Sequence, residues 1–151
     1  MRKFLVIMDN TTECLNAMRF AALRAAHTDA GVTIMAVIPP DEFNHWIGVA
    51  DIMREEARDR IQAHFDVFSK RMQDKEGVTP ELEIREGKPE DEIINFVQDT
   101  PEIGVLVLGA GVGKEGPGPL VTHMLRRSGT LPIPVTIVPG AMGKEAIISV
   151  S

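Results

Sequence analysis

Five glycines (Gly109, Gly111, Gly113, Gly116, Gly118) fall within ten positions of "LVLGAGVGKEGPGPLVTHML", residues 106 to 125, between an apolar run and an amphipathic one. Such a loop serves two chemistries: it can present backbone N–H groups to a phosphate at a helix start, or it can simply connect a strand to a helix. Residues 110 to 118 could span roughly 30 Å if extended, so reach alone does not exclude a ligand. Donor supply is the sharper constraint, because Pro119 lacks an N–H while Leu120 and Val121 retain theirs. A second candidate is Asp9, the carboxylate that ends the apolar run "FLVIM". Its place at the end of a buried strand suits either ligand recognition or capping of the backbone near Asn10.

Other chemistries find less support. His27, His45, His64 and His123 lie 18, 19 and 59 residues apart, a spacing with no local metal motif, and a single Cys makes a structural zinc site improbable. His64 is read as flanking the core, and His123 is the one His placed near a ligand. Cys14 reads as a small buried hydrophobe, since no His, Lys or Arg stands near it to lower its pKa. Neither a G-x-S-x-G elbow nor a G-x-x-x-x-G-K-[ST] loop is present. A phospho-receiver domain would need more acids than Asp9; Arg85, Glu86, Pro139 and Gly140 occupy the other places. No catalytic and no metal residues are assigned. Trp46, the single Trp, reads as packing over the sheet end, with a ligand lid or partner contact as the alternative.

The elements that position these residues follow from periodicity. "FLVIM" (4–8), "VTIMAVI" (32–38) and "VLVLGA" (105–110) are continuous apolar runs, the pattern of strands buried on both faces of a parallel sheet. "LEIRE" (82–86) alternates and suits an edge, and "PVTIV" (134–138) is the fifth strand. Asn10 and Glu13 have capping-box spacing ahead of a helix carrying Leu15, Met18, Ala22 and Ala25, with Gly31 as its left-handed cap. The longest helix is expected from Asp51 to about Glu76, with Ile61, Phe65, Phe68 and Met72 on one stripe. Pro89 opens another helix, and a short one runs from about Pro119 to Arg127. The alternation predicts an α/β fold: a five-stranded doubly wound parallel sheet in three α/β/α layers, with right-handed crossovers. Ligands on such sheets sit at the carboxyl ends of strands where the order reverses, and Asp9, Val37, Ile38 and Gly109 fall at those ends.

Composition agrees with one domain. The 151 residues, 44% apolar and 25% charged, are enough to bury roughly 70% of the unfolded surface. Residues 1–140 form the expected domain, and 141–151 a tail whose "EAIISVS" reads as an extra edge or dimer strand. With 16 basic against 22 acidic side chains, net charge −6, the footprint of a nucleic-acid binder is absent, and no apolar run approaches the 18 or so residues of a membrane span. The first residues are too short and lack a cleavage site for a secretory leader, so the expected location is cytoplasmic.

In order and spacing, "FLVIMDNTTE", "VTIMAVIPP", "REGKPEDEII", "IGVLVLGAGVG" and "PVTIVP" resemble the universal stress protein family, over about residues 3 to 139. The resemblance implies an adenine-nucleotide alpha hydrolase-like fold in which Asp9 and Val37 contact adenine and the phosphates lie on a G-x-x-G, nine residues, then G-S or G-T motif. The chain departs from that motif. Gly109 can be the first glycine, but Val112 stands three residues on, leaving Gly111 or Gly113 to substitute. Gly118 and Pro119 replace the Gly-Ser pair nine positions after Gly109 instead of thirteen. Losing two charge-assisted hydrogen bonds costs about 1.5 to 3 kcal/mol each, enough to weaken a micromolar site past a hundred micromolar unless Lys114 compensates. The resemblance implies a homodimeric stress-response regulatory domain that binds ATP or AMP, with Mg²⁺ only alongside ATP, and that lacks strong catalysis. The nucleotide-binding set is Asp9, Val37, Gly109, Gly111, Gly113, Gly118 and Leu120. Two alternatives stay open: the same fold with a degenerate loop acting only through protein partners, and a weak nucleotide hydrolase.

Overall fold

The computed structural model describes residues 2–40 and 47–151, and of Ile47 only the backbone; His45 and Trp46 lie outside the described residues. The elements alternate: β1 (Lys3–Ile7), α1 (Glu13–Thr28), β2 (Gly31–Ile38), α2 (Ile47–Glu76), β3 (Glu81–Glu86), α3 (Pro89–Asp99), β4 (Ile103–Ala110), α4 (Pro119–Arg126), β5 (Val135–Pro139) and α5 (Lys144–Val150). Five parallel strands lie in the order β3-β2-β1-β4-β5. The alternating β3 is at an edge, as its pattern predicts, and β1 occupies the centre.

Successive side chains of β1 point to opposite faces, and each face meets its own helical layer. Val6 and Met8 pack with residues of α1, α2 and α5, among them Ala17, Ala21, Met72 and Ile147. Leu5 and Ile7 pack with α3 and α4 through Ile93, Phe96, Val97, Val121 and Met124. Small residues on α1 (Ala17, Ala21, Ala22, Ala25, all buried) let that helix lie close on the sheet. The order of the chain reverses between β1 and β4: β1 leads outward through β2 to β3, and the chain then crosses back to β4 and β5. That reversal is the switch point where a crevice opens.

Four local expectations change. Asp9 does the capping work expected of Asn10 and Glu13: its Oδ1 accepts from the Thr11 N–H at 2.9 Å and from the Thr11 hydroxyl, while Thr12 stands at the N-cap without a side-chain bond to the helix backbone. An Asx turn satisfies those donors one step before a capping box could form. The left-handed residue after α1 is Asp29 (φ 53°), not Gly31, whose N–H joins the sheet by donating to the Arg2 carbonyl at 2.9 Å. Asp tolerates that conformation better than most residues, which leaves Gly31 free to begin β2. α2 begins at Ile47, earlier than Asp51, and is the longest of the described helices.

The tail is the fourth correction: residues 144–150 form helix α5, not an edge or dimer strand. Ile147 is fully buried against the α1 layer, a result that a helix reaches with one anchor per turn and a solvent-exposed strand does not. Its end is fixed on α1, where Arg24 Nη1 donates to the Ser151 carbonyl at 3.2 Å and His27 Nδ1 lies 2.9 Å from the same oxygen. The loop before α5 is held by Asn16, whose single Nδ2 donates to the carbonyls of Pro139, Gly140 and Met142 at 3.1, 3.3 and 3.1 Å.

Candidate functional site

Two cavities adjoin at the carboxyl ends of the central strands. The wider, about 460 Å³, lies over β1 and β2 and is bounded by Asp9, Val37, Pro39, Leu120 and the α2 residues Ala57, Arg60, Ile61 and His64. The narrower, about 160 Å³, lies over β4 and the glycine loop and is lined by Asp9, Glu13, Cys14, Gly109, Gly118 and Leu120, among others. Ile7, Asp9 and Leu120 line both, so the two are lobes of one cleft.

Asp9 stands at the junction. One carboxylate oxygen is engaged by Thr11, and Oδ2 has no hydrogen bond among the described residues, which leaves an acceptor directed at the cleft. One oxygen thus does the capping its sequence position suggested, while the residue also lines both lobes. Val37, one of the last residues of β2, supplies an apolar wall of the wide lobe.

Gly109 is required by close approach. A Cβ there would lie 2.4 Å from the Glu13 carbonyl, so any larger residue would push the first turn of α1 outward. Gly118, at φ 107°, holds a conformation that side chains disfavour and turns the chain into α4. Pro119 follows at the first helical position. The Thr122 N–H already returns to the Gly118 carbonyl at 3.2 Å, and the Leu120 and Val121 N–H groups are left as the free donors of that turn.

Gly111 and Gly113 line neither lobe. The Gly111 N–H donates to the Pro117 carbonyl at 3.0 Å, and the Gly113 carbonyl accepts from Gly116 at 3.1 Å. The loop is folded on itself, and the N–H groups of Gly111 and Gly116 are occupied within it. Charge adds to this. The narrow lobe carries the carboxylates of Asp9 and Glu13 and no Lys or Arg, and the Glu13 Oε1 sits 3.1 Å from where a Gly111 Cβ would be. Lys114 lies exposed on the loop and does not line it.

Cys14 is buried beneath this lobe, with its Sγ 3.6 Å from the Ile7 carbonyl. Burial pushes its thiol from 9.0 up to about 11; the Asp9 backbone N–H pulls against this, and the Asp9 and Glu13 carboxylates add to the rise. It is held as a neutral thiol. Arg60 and His64 were not anticipated as cleft residues: one turn apart on α2 and both exposed, they line the wide lobe, and Arg60 brings a positive charge to it. The signal was their i, i+4 spacing beside Ala57 and Ile61. His123, half-buried on α4, lines neither lobe. Among the described residues no group of three or more His, Cys, Asp or Glu is placed to hold a metal ion.

An open parallel sheet with a two-lobed cleft at its switch point is the architecture of the nucleotide-binding α/β domains. The model of the universal stress protein family matches residues 1–117, and the chain belongs to that family. Solved structures agree in fold. The universal stress protein UspA from Lactobacillus plantarum is 18% identical, with 91% of this chain and 97% of that chain covered and a TM-score of 0.71. A universal stress protein in complex with cAMP is 20% identical, covering 91% and 96%, with a TM-score of 0.68. The universal stress protein from Archaeoglobus fulgidus in complex with dAMP is 18% identical, covering 91% and 98%, with a TM-score of 0.60. A search of curated proteins finds no match.

Proposed function

We propose that the cleft binds an adenine nucleotide of low charge, AMP in preference to ATP, and that the protein is a homodimeric, cytoplasmic stress-response regulator that binds its ligand without hydrolysing it efficiently. The observation that carries this reading is the position of Asp9, with a free carboxylate oxygen at the meeting point of both lobes. In this arrangement the base lies in the wide lobe against Val37, with its exocyclic amine donating to Asp9 Oδ2. A phosphate reaches the Leu120 and Val121 N–H groups at the start of α4. Further phosphates would meet Glu13 and the closed interior of the loop, which is the reason to prefer AMP; Mg²⁺ would be needed to offset that repulsion for ATP. Support from relatives is that one similar protein was solved with cAMP and another with dAMP. The homodimer is proposed through the open edge at β5.

The test is thermal unfolding of ligand-free protein with AMP, with ATP and Mg²⁺, and with GTP. At a hundred times its dissociation constant a ligand adds about 2.7 kcal/mol, which should raise the midpoint by roughly 5 to 10 °C. Asp9→Asn separates the two roles of the carboxylate, because the amide oxygen can still accept from Thr11 while the other position becomes a donor. The expected result is an unchanged midpoint without ligand and no response to AMP. A second reading, a partner-binding module with a closed cleft, is favoured by the internal bonds of Gly111 and Gly116. It predicts a flat response to every nucleotide at millimolar concentration.

A further inference from the structure

On the face of the molecule formed by α1, α2 and α5, a groove of about 210 Å³ runs where the three helices meet. Its floor is apolar: Leu15, Met18 and Ala22 from α1, Phe68 and Met72 from α2, and Ile148 from α5. Leu15 and Ile148 are 44% and 45% exposed, so the floor opens to solvent although α1 is otherwise buried along this face. Around it stand four cations from the same three helices, Arg19, Arg71, Lys75 and Lys144.

Those cations differ from most of the other basic residues, although Arg2, Arg24, Arg60, Lys114 and Arg126 also make no ion pair among the described residues. Lys3, Arg54, Arg58, Lys70, Arg85, Lys88 and Arg127 each pair with a carboxylate within 4 Å. Among the described residues none of the four around the groove does, in a chain where acids outnumber bases by 22 to 16. The one acid in the ring, Glu76, offsets them only in part: it faces Lys75, Arg19 and Arg71 as a single charge, and its Oε2 is buried without a hydrogen-bond partner. An apolar trough whose rim sets four cations against one carboxylate is complementary to a chain of methylenes ending in a negative head. The volume is below the 300 to 1,000 Å³ typical of pockets for drug-sized molecules, and the trough is walled by helices, which fits one alkyl chain better than a flat lipid surface or a partner helix.

We infer that this groove binds a single-chain fatty carboxylate, with the alkyl chain along Leu15, Met18, Ala22, Phe68 and Met72 and the carboxylate among Arg19, Arg71, Lys75 and Lys144. The site is separate from the nucleotide cleft and does not depend on it. Lys and Arg side chains of this length can lower their stems onto the chain while their charged ends reach the head.

Isothermal titration with decanoate, below its micelle concentration, tests this on the full chain. One decanoate binds per chain, and shortening the probe to octanoate weakens binding on the order of tenfold, from the transfer free energy of two methylenes. Decanol binds more weakly, and decyltrimethylammonium gives no saturable heat. Arg71→Glu with Lys75→Glu, both exposed in the fold, and Leu15→Glu remove binding while circular dichroism stays native; Glu76→Gln tightens it. Saturating AMP leaves the decanoate affinity unchanged. No saturable binding at millimolar decanoate overturns the inference, as does equal affinity for the acid, the alcohol and the ammonium. Concentration-dependent dimerisation that Leu15→Glu abolishes overturns it too, since a second copy would then cover the groove, as does binding to anionic vesicles with no affinity for the free acid.

Discussion

The cleft at the sheet end and the groove between α1, α2 and α5 are built on opposite charge plans. In the cleft's narrow lobe, backbone of the glycine loop meets two carboxylates, and the apparent phosphate cradle is acidic. In the groove, apolar side chains meet four cations and a single carboxylate. The contrast teaches that a glycine-rich loop before a helix is not sufficient for polyanion binding: which donors are free and which charges face them decides what can enter. It also separates two kinds of fragility. The cleft is shaped by main-chain contact at Gly109, whereas the groove is shaped by side chains that can be exchanged one at a time.

Four measurements break or sharpen this comparison. Ile147→Ala should loosen α5, which brings Lys144 and Ile148 to the groove: deleting a fully buried side chain costs about 3 kcal/mol, a midpoint lowered by roughly 6 to 12 °C, while the AMP response persists. Loss of the AMP response along with α5 would merge the two regions into one. Alkylation of Cys14 in the native protein at pH 8 should run roughly a hundredfold slower than for an ordinary thiol, because the thiolate fraction falls tenfold per unit of raised pKa. Ordinary reactivity would mean that the narrow lobe opens to its floor.

Gly109→Ala should cost about 1 to 3 kcal/mol through overpacking against the Glu13 carbonyl, and should weaken AMP without touching decanoate. The smallest effect belongs to Glu76. Burial raises its carboxyl above 4.5, against the pull of Lys75, Arg19 and Arg71. The folded chain therefore holds this proton more tightly than the unfolded one, so the stability contribution is full below 4.5 and declines as pH rises through the raised folded value. Glu76→Gln should remove that decline and raise the midpoint at neutral pH by roughly 1 to 2 °C, a small gain because the group is partly screened by solvent.

How much of this was legible follows the range of the forces involved. The buried runs 4–8, 32–38 and 105–110 announced central strands because a strand covered on both faces has no polar position to break the pattern. The alternation of 82–86 placed β3 at an edge for the same reason in reverse. The tail misled, since "EAIISVS" has strand composition and only the pocket beside α1 that receives Ile147 makes it helical. In the cleft, Asp9, Val37, Gly109, Gly118 and Leu120 converge because each sits at a strand end or the following turn. Gly111 and Gly113 do not join them: the hydrogen bond from Gly111 to Pro117 is a matter of loop closure that composition does not encode. The groove was hidden because its walls come from residues 15–23, 68–76 and 144–148, which no local period connects.

The three carbonyls gathered by Asn16 make one amide a latch across a separation of 123 to 126 residues. A chain emerging from the N-terminal end can form β1 and coil α1 early, yet Asn16 has nothing to close on until residue 142 has been made. The docking of the β5–α5 turn on Asn16 therefore ties the second element of the fold directly to its last.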